Sequence, residues 1–199
     1  MKVYGDLHSG NCYKVRLLLN MLGIEHEWEH VDVVKKETQT EAFLALNPNG
    51  KIPAVVLDDG ETLTESNAIL GYFADGTSMM PTDRLEKARV YEWLFFEQYS
   101  HEPYIAVARF IQRYLGMPAD RKDEYDSLKQ GGYKALEIME SAVSRSPWLA
   151  GERMTIADIS LYAYTHVASE GGFDLAGFHG LNNWLARVQL QPGYIAMGE

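Results

Sequence analysis

The stretch Asn47-Pro48-Asn49-Gly50-Lys51-Ile52-Pro53-Ala54-Val55-Val56-Leu57 joins a helix end, a turn and a strand start. Its first half is turn chemistry, since Asn, Pro and Gly each favour a reversal for a different backbone reason. Asn47-Pro48 also closes the helical run Glu41–Leu46, because a residue before proline is pushed out of the helical region. The second half is an apolar run opened by Pro53. Proline is tolerated at the first residue of a strand, where its missing N–H removes no inner rung. Asp58-Asp59-Gly60 reads as a hairpin turn that returns Glu61–Leu63 as a further strand. Thr64-Glu65-Ser66-Asn67 then starts a helix that runs to about Phe73.

Upstream, Lys2–Leu7 alternates as a strand and His8-Ser9-Gly10-Asn11 is a turn. Val15, Leu18, Leu19 and Leu22 fall at helical spacing, with Gly23 as a helix-ending glycine. Trp28–Val34 is a second strand. The order β-α-β-α-β-β-α predicts an α/β layer over residues 1–76. Asp75–Pro81 is a connector, and strand signals almost vanish beyond it, so residues 82–199 are expected to form an all-α domain. Thr82–Leu115 is a long helical stretch that Pro103 should kink or split. Ala119–Ser144 is another, which Gly131-Gly132 should weaken. Ile156–Ala168 and Leu181–Leu190 follow, and Pro192-Gly193 ends the last. Thr155-x-x-Asp158 is a capping box with a structural role.

Composition narrows the partners. The chain has 199 residues, 46% apolar and 23% charged, as soluble globular domains do. Its 18 basic and 28 acidic side chains give a net charge of −10. Residues 1–80 hold 6 basic and 12 acidic groups and the remainder 12 and 16, so neither part offers the basic footprint that nucleic acid or an anionic membrane requires. No apolar run is long enough to span a bilayer, and the first residues lack an apolar signal core. Cys12 is the single cysteine, so no internal disulfide can form, which fits a reducing compartment. A cytoplasmic protein is expected. His26 and His30 are four apart in a strand region, where that spacing does not converge as it would on a helix, so no metal site is expected.

Two segments suit a zwitterionic ligand. Ile52, ahead of Pro53, can offer its backbone N–H and C=O to an extended peptide; with a cis Ile52–Pro53 bond those groups would face outward at a sharp bend. Thr64-Glu65-Ser66 enters a helix whose first N–H groups attract a carboxylate. Glu65 can accept from an ammonium and Ser66 can donate to a carboxylate. The same residues also serve as a strand start and a helix cap, with Glu65 complementing the helix dipole.

The whole chain resembles the glutathione transferase superfamily, a thioredoxin-like α/β domain followed by an all-α domain. The resemblance rests on Asn47-Pro48-x-Gly50-Lys51-Ile52-Pro53-Ala54-Val55, on Glu65-Ser66-x-Ala68-Ile69, and on Trp148-Leu149-Ala150-Gly151 with Thr155-Ile156-Ala157-Asp158, in the family's order. It implies that glutathione is the co-substrate. Ile52, ahead of a cis Pro53, would hold the cysteinyl part by its backbone. Glu65 and Ser66 would hold the γ-glutamyl group, and Lys51 would reach the glycine carboxylate. Lys35, Lys36, Thr38 and Gln39 lie where further contacts often fall, and Tyr104 and Arg109 are candidates for the electrophile pocket.

A free thiol titrates near 8.5, and a donor beside a helix N-terminus favours its anion. In this family that donor sits between the first strand and first helix. Ser9 matches the serine of theta- and zeta-like members, Asn11 the asparagine of nu-like members, and Cys12 the cysteine of beta-like members. The Ser-Ser-Cys pattern of zeta-like isomerases is absent. Ser9 and Asn11 are the catalytic candidates carried forward; either could instead cap the helix, and Cys12 could be a small buried residue. The resemblance implies a homodimeric transferase acting on hydrophobic electrophiles. A nu-like glutathione-dependent disulfide reductase and a non-catalytic interaction protein on the same fold are the alternatives.

Overall fold

The computed structural model describes residues 1–199, which form two compact units. The first comprises Met1–Asp75 together with the last residues, Gln191–Glu199; the second is Gly76–Leu190.

The first unit carries β1 (Lys2–Gly5), α1 (Gly10–Met21), β2 (Glu27–His30), α2 (Glu41–Leu46), β3 (Ala54–Val56), β4 (Thr62–Thr64) and α3 (Ser66–Ala74). The four strands form one mixed sheet in the order β2-β1-β3-β4. β1 is parallel to β2 and antiparallel to β3, which is antiparallel to β4. Alternation along the strands sends residues to two faces. Val3 and Val55 join Val15, Leu19 and Ile69 of α1 and α3 in one buried cluster. Tyr4 and Ala54 turn the other way, toward Val31, Ile52 and Phe43 of α2. Each fully buried aliphatic side chain contributes about 1.5–3 kcal/mol. The C-terminal segment is fastened to α1: the Tyr13 hydroxyl donates to the Ile195 carbonyl at 2.7 Å and the Asn20 amide to the Gly193 carbonyl at 2.7 Å. Gly193 has φ +73°, and a Cβ there would lie 2.7 Å from the Met21 backbone, so only glycine fits.

The second unit is helical: α4 (Arg84–Phe96), α5 (Glu102–Arg109), α6 (Lys122–Val143), α7 (Ile156–Thr165) and α8 (His179–Gln189). Pro103 sits in the first turn of α5, where its missing N–H is harmless, and a π-helical turn, Glu97–His101, separates it from α4. A second π-helical turn, Phe110–Tyr114, follows α5. Gly131-Gly132 does not interrupt α6. The glycines make room instead: a Cβ at Gly131 would meet the Tyr104 ring at 2.2 Å, and one at Gly132 the Phe173 ring at 2.3 Å.

All ten residues of α7 are buried, as expected of a helix packed on every side. Asp158 at its start is fully buried and organises its neighbours. One carboxylate oxygen accepts from the Thr155 N–H at 2.9 Å, closing the capping box. The other accepts from the Leu149 N–H at 3.0 Å and from the Trp184 indole at 2.9 Å. Burial pushes this carboxyl above the usual carboxylate range, while those donors pull it back. Thr155→Ala is expected to lose about 1 kcal/mol, as helix caps do. Asp158→Ala strands several buried donors and should lose about 3–5 kcal/mol. Urea unfolding of both variants is the check; equal losses would mean that Asp158 acts only as a cap.

Candidate functional site

Sheet register gathers the candidate residues. Ala54, the first residue of β3, pairs with Tyr4 near the end of β1 and with Thr64 at the end of β4. The loop leaving β1, the loop entering β3 and the start of α3 therefore lie at one end of the sheet. Those segments contain Ser9 and Asn11, Lys51–Pro53, and Glu65–Ser66 respectively.

The loop entering β3 is held from below. Asn47 is buried, its amide donates to the Lys51 carbonyl at 2.7 Å, and its Oδ1 accepts from the Asn49 N–H at 3.1 Å. The Ile52–Pro53 bond is cis. Gly50 has φ +62°, and a Cβ there would lie 2.5 Å from the Gln39 amide nitrogen, which donates to the Gly50 carbonyl at 3.4 Å. Buried Thr38 accepts from Gln39 at 3.2 Å, so Thr38 and Gln39 form the loop's support. Lys35 pairs with Asp32 at 3.1 Å, and Lys36 adopts φ +61° in the turn. Pro53 is buried, Ile52 half-buried and Lys51 exposed.

Glu65 is exposed and strained. Its φ of +64° with ψ of 111° is rare for a residue with a Cβ, and such outliers gather at functional sites. Its carbonyl accepts from the Ile69 N–H at 2.9 Å, yet its side chain makes no capping hydrogen bond. Ser66 is buried next to it, and its hydroxyl donates to Asn11 Oδ1 at 3.3 Å, bridging the first turns of α3 and α1. Behind both stands Lys14. Its side chain is fully buried and its Nζ lies 3.4 Å from Ser66 Oγ. The apolar periodicity of α1 gave Lys14 no role. The available signal was its place one turn after Asn11, a lysine among core positions.

Ser9 is the N-cap of α1, its hydroxyl accepting from the Cys12 N–H at 3.5 Å. Cys12 is fully buried, and a Cβ on Gly5 would lie 2.7 Å from its sulfur. Burial pushes its thiol up to about 12, against a smaller opposing effect of the Ser9 hydrogen bond. Cys12 is therefore a core thiol rather than a nucleophile. In the folded protein it should stay unreacted with an aromatic disulfide reagent at pH 8 and react once the chain is unfolded. Prompt labelling of the native state would contradict its placement.

In the helical unit, Arg109 is almost wholly buried and donates to Glu170 at 2.8 Å, an ion pair that Arg113 joins at 3.0 Å. Tyr104 lays its ring on Gly131. Within this unit Arg109 is held by Glu170, and half-buried Tyr104 packs on α6. A hollow of about 510 Å³ opens between α4 and α6, lined by Trp93, Phe96, Ile138, Arg89 and Arg145 among others. No three His, Cys, Asp or Glu side chains are grouped so as to hold a metal ion.

Residues 8–75 match the glutathione S-transferase N-terminal domain and residues 94–192 the C-terminal domain. The chain belongs to the glutathione S-transferase family. A glutathione S-transferase structure from Pseudomonas fluorescens is 57% identical, with a TM-score of 0.98 over 100% of this chain and 98% of that one. The disulfide-bond oxidoreductase YfcG of Escherichia coli is 28% identical over 92% of this chain and 87% of its own. A maleylacetoacetate isomerase from Methylobacterium extorquens, solved with malonate and glutathione bound, is 25% identical with a TM-score of 0.82 over 97% of this chain and 94% of that one. The family's thioredoxin-like and all-α domains are those of the two units, and no helix is long and apolar enough to cross a membrane.

Proposed function

We propose that this family member binds glutathione at the sheet end described above, stabilises its thiolate and transfers it to a hydrophobic electrophile. The observation that carries the reading is the convergence of a cis-proline loop, a strained acidic residue and two helix N-termini on one edge of the sheet. Ile52 pairs with the cysteinyl backbone. Glu65 accepts from the γ-glutamyl ammonium, and the first turn of α3 at Ser66 takes its carboxylate, as helix N-termini do. Lys51, exposed on the approach to β3, reaches the glycine carboxylate. Asn11 and Ser9, at the start of α1, are the donors to the sulfur. The protein supplies orientation and charge stabilisation, while the nucleophile belongs to glutathione. The electrophile binds on the helical domain, where the hollow lined by Trp93 and Phe96 has a volume of ligand scale.

The protein is proposed to act as a homodimer. Tyr91, Phe95 and Tyr99 recur every four residues and are 42, 71 and 85% exposed, an apolar stripe suited to a second copy. Sedimentation showing only monomer at micromolar protein would contradict this.

Glu65 links binding to stability. Glu65→Gly removes an acceptor for a charged group, so glutathione affinity should fall by about 1.5–3 kcal/mol. The same change relieves the positive φ, giving a net stability gain of about 1 kcal/mol and a melting point about 2–4 °C higher. Calorimetric titration and a melting curve test both; unchanged affinity would remove Glu65 from the site.

The similarity to a disulfide-bond oxidoreductase, together with Asn11 in the polar cluster, favours a second reading: reduction of mixed disulfides by glutathione. Assays with a chloronitrobenzene and with a glutathione mixed disulfide separate the two. Turnover of the disulfide alone would make the reductase the function, and turnover of neither would favour a non-catalytic role on this fold.

A further inference from the structure

Lys14 is the least expected residue of the first unit. Lysine is almost never fully buried, because an ammonium away from water is expensive unless its hydrogen bonds are met. Lys14 sits one helical turn after Asn11, and its Nζ approaches the oxygen of Ser66, which in turn contacts Asn11. The chemistry of these groups fixes the direction of the chain. An ammonium carries only donors, so the Ser66 oxygen must accept from it. The Ser66 hydroxyl then has one proton left to give, and Asn11 Oδ1 at 3.3 Å takes it. With the Asn11 amide flipped, Nδ2 would take the second lone pair of the Ser66 oxygen and the buried Ser66 proton would lose this acceptor. Lys14 thus selects one of two amide orientations, the one in which Nδ2 and both its protons are turned away from Ser66.

We propose that Lys14 is a positioning residue: through Ser66 it locks the Asn11 side chain with its amide nitrogen presented as the donor to the glutathione thiolate. The inference deepens the proposed function and rests on it. It gives Asn11 a fixed amide orientation, while Ser9 Oγ accepts from the Cys12 N–H as the N-cap of α1. It also gives Ser66 a part in orienting Asn11, leaving the γ-glutamyl carboxylate to N–H groups at the start of α3.

The test is the pH titration of bound glutathione, read as thiolate ultraviolet absorbance, for wild type, Lys14→Met, Asn11→Ala and the double variant, with binding measured separately by calorimetry. Lys14→Met is expected to bind glutathione within a few-fold of wild type while the bound thiol titrates about 1 unit higher, a tenfold loss of thiolate below its pKa. Asn11→Ala should raise it at least as far, and adding Lys14→Met to Asn11→Ala should change nothing more, because Lys14 acts through Asn11. Should Lys14→Met fail to fold, Lys14→Gln replaces it; glutamine can accept as well as donate, so it frees the Ser66 hydroxyl to turn and should raise the titration too. A folded Lys14 variant that titrates as wild type, or effects of the Lys14 and Asn11 changes that add, would overturn the inference alone. Wild type that binds no glutathione would overturn the functional reading and this inference with it.

Discussion

The candidate site depends on the register of one residue. Ala54 is held between Tyr4 on β1 and Thr64 on β4, and a slip of one position would turn every side chain of β3 to the opposite face. Val55 would leave the cluster with Val3 and Ile69, and Ala54 would leave Phe43. The core therefore enforces the register. The register in turn sets the β1 loop, the cis-proline loop and Glu65 at a common edge. None of the candidate residues lies on a strand; the strands act by fixing where three loops end.

Below the edge, polar contacts convert position into orientation. Asn47 shapes the approach to Ile52 from within the loop. Lys14 and Ser66 tie α1 to α3 through Asn11. Glu65 occupies a backbone region that a non-glycine residue enters only when its surroundings insist. The helical unit follows the same logic around a different group, with Asp158 joining the α7 cap, the Leu149 turn and Trp184 of α8 through one buried carboxylate.

Much of this could be read from the chain before its folding was seen. Helical spacing marked α1, proline and glycine marked the ends of α2 and α8, and the Asp58-Asp59-Gly60 turn marked the hairpin, because each is a local signal. Pro103 announced the break between α4 and α5 for the same reason. What escaped was set by partners distant in sequence. Gly131 and Gly132 look like helix weakeners until the rings of Tyr104 and Phe173 are placed against them. Lys14 has no role in the apolar pattern of α1 until Ser66, 52 residues away, is placed against it. The buried pairing of Arg109 with Glu170, 61 residues away, has no local signal either. Cys12 could be a nucleophile by its position in the motif, and only its burial beneath Gly5 decides otherwise.

The most direct test of this account is a crystal structure of the protein with glutathione bound. The γ-glutamyl group is expected against Glu65 and the start of α3, the cysteinyl backbone paired with Ile52, and the sulfur about 3 Å from the Asn11 amide nitrogen, a hydrogen-bonding distance. Glutathione lying elsewhere on the first unit, or its sulfur joined to Cys12, would contradict it.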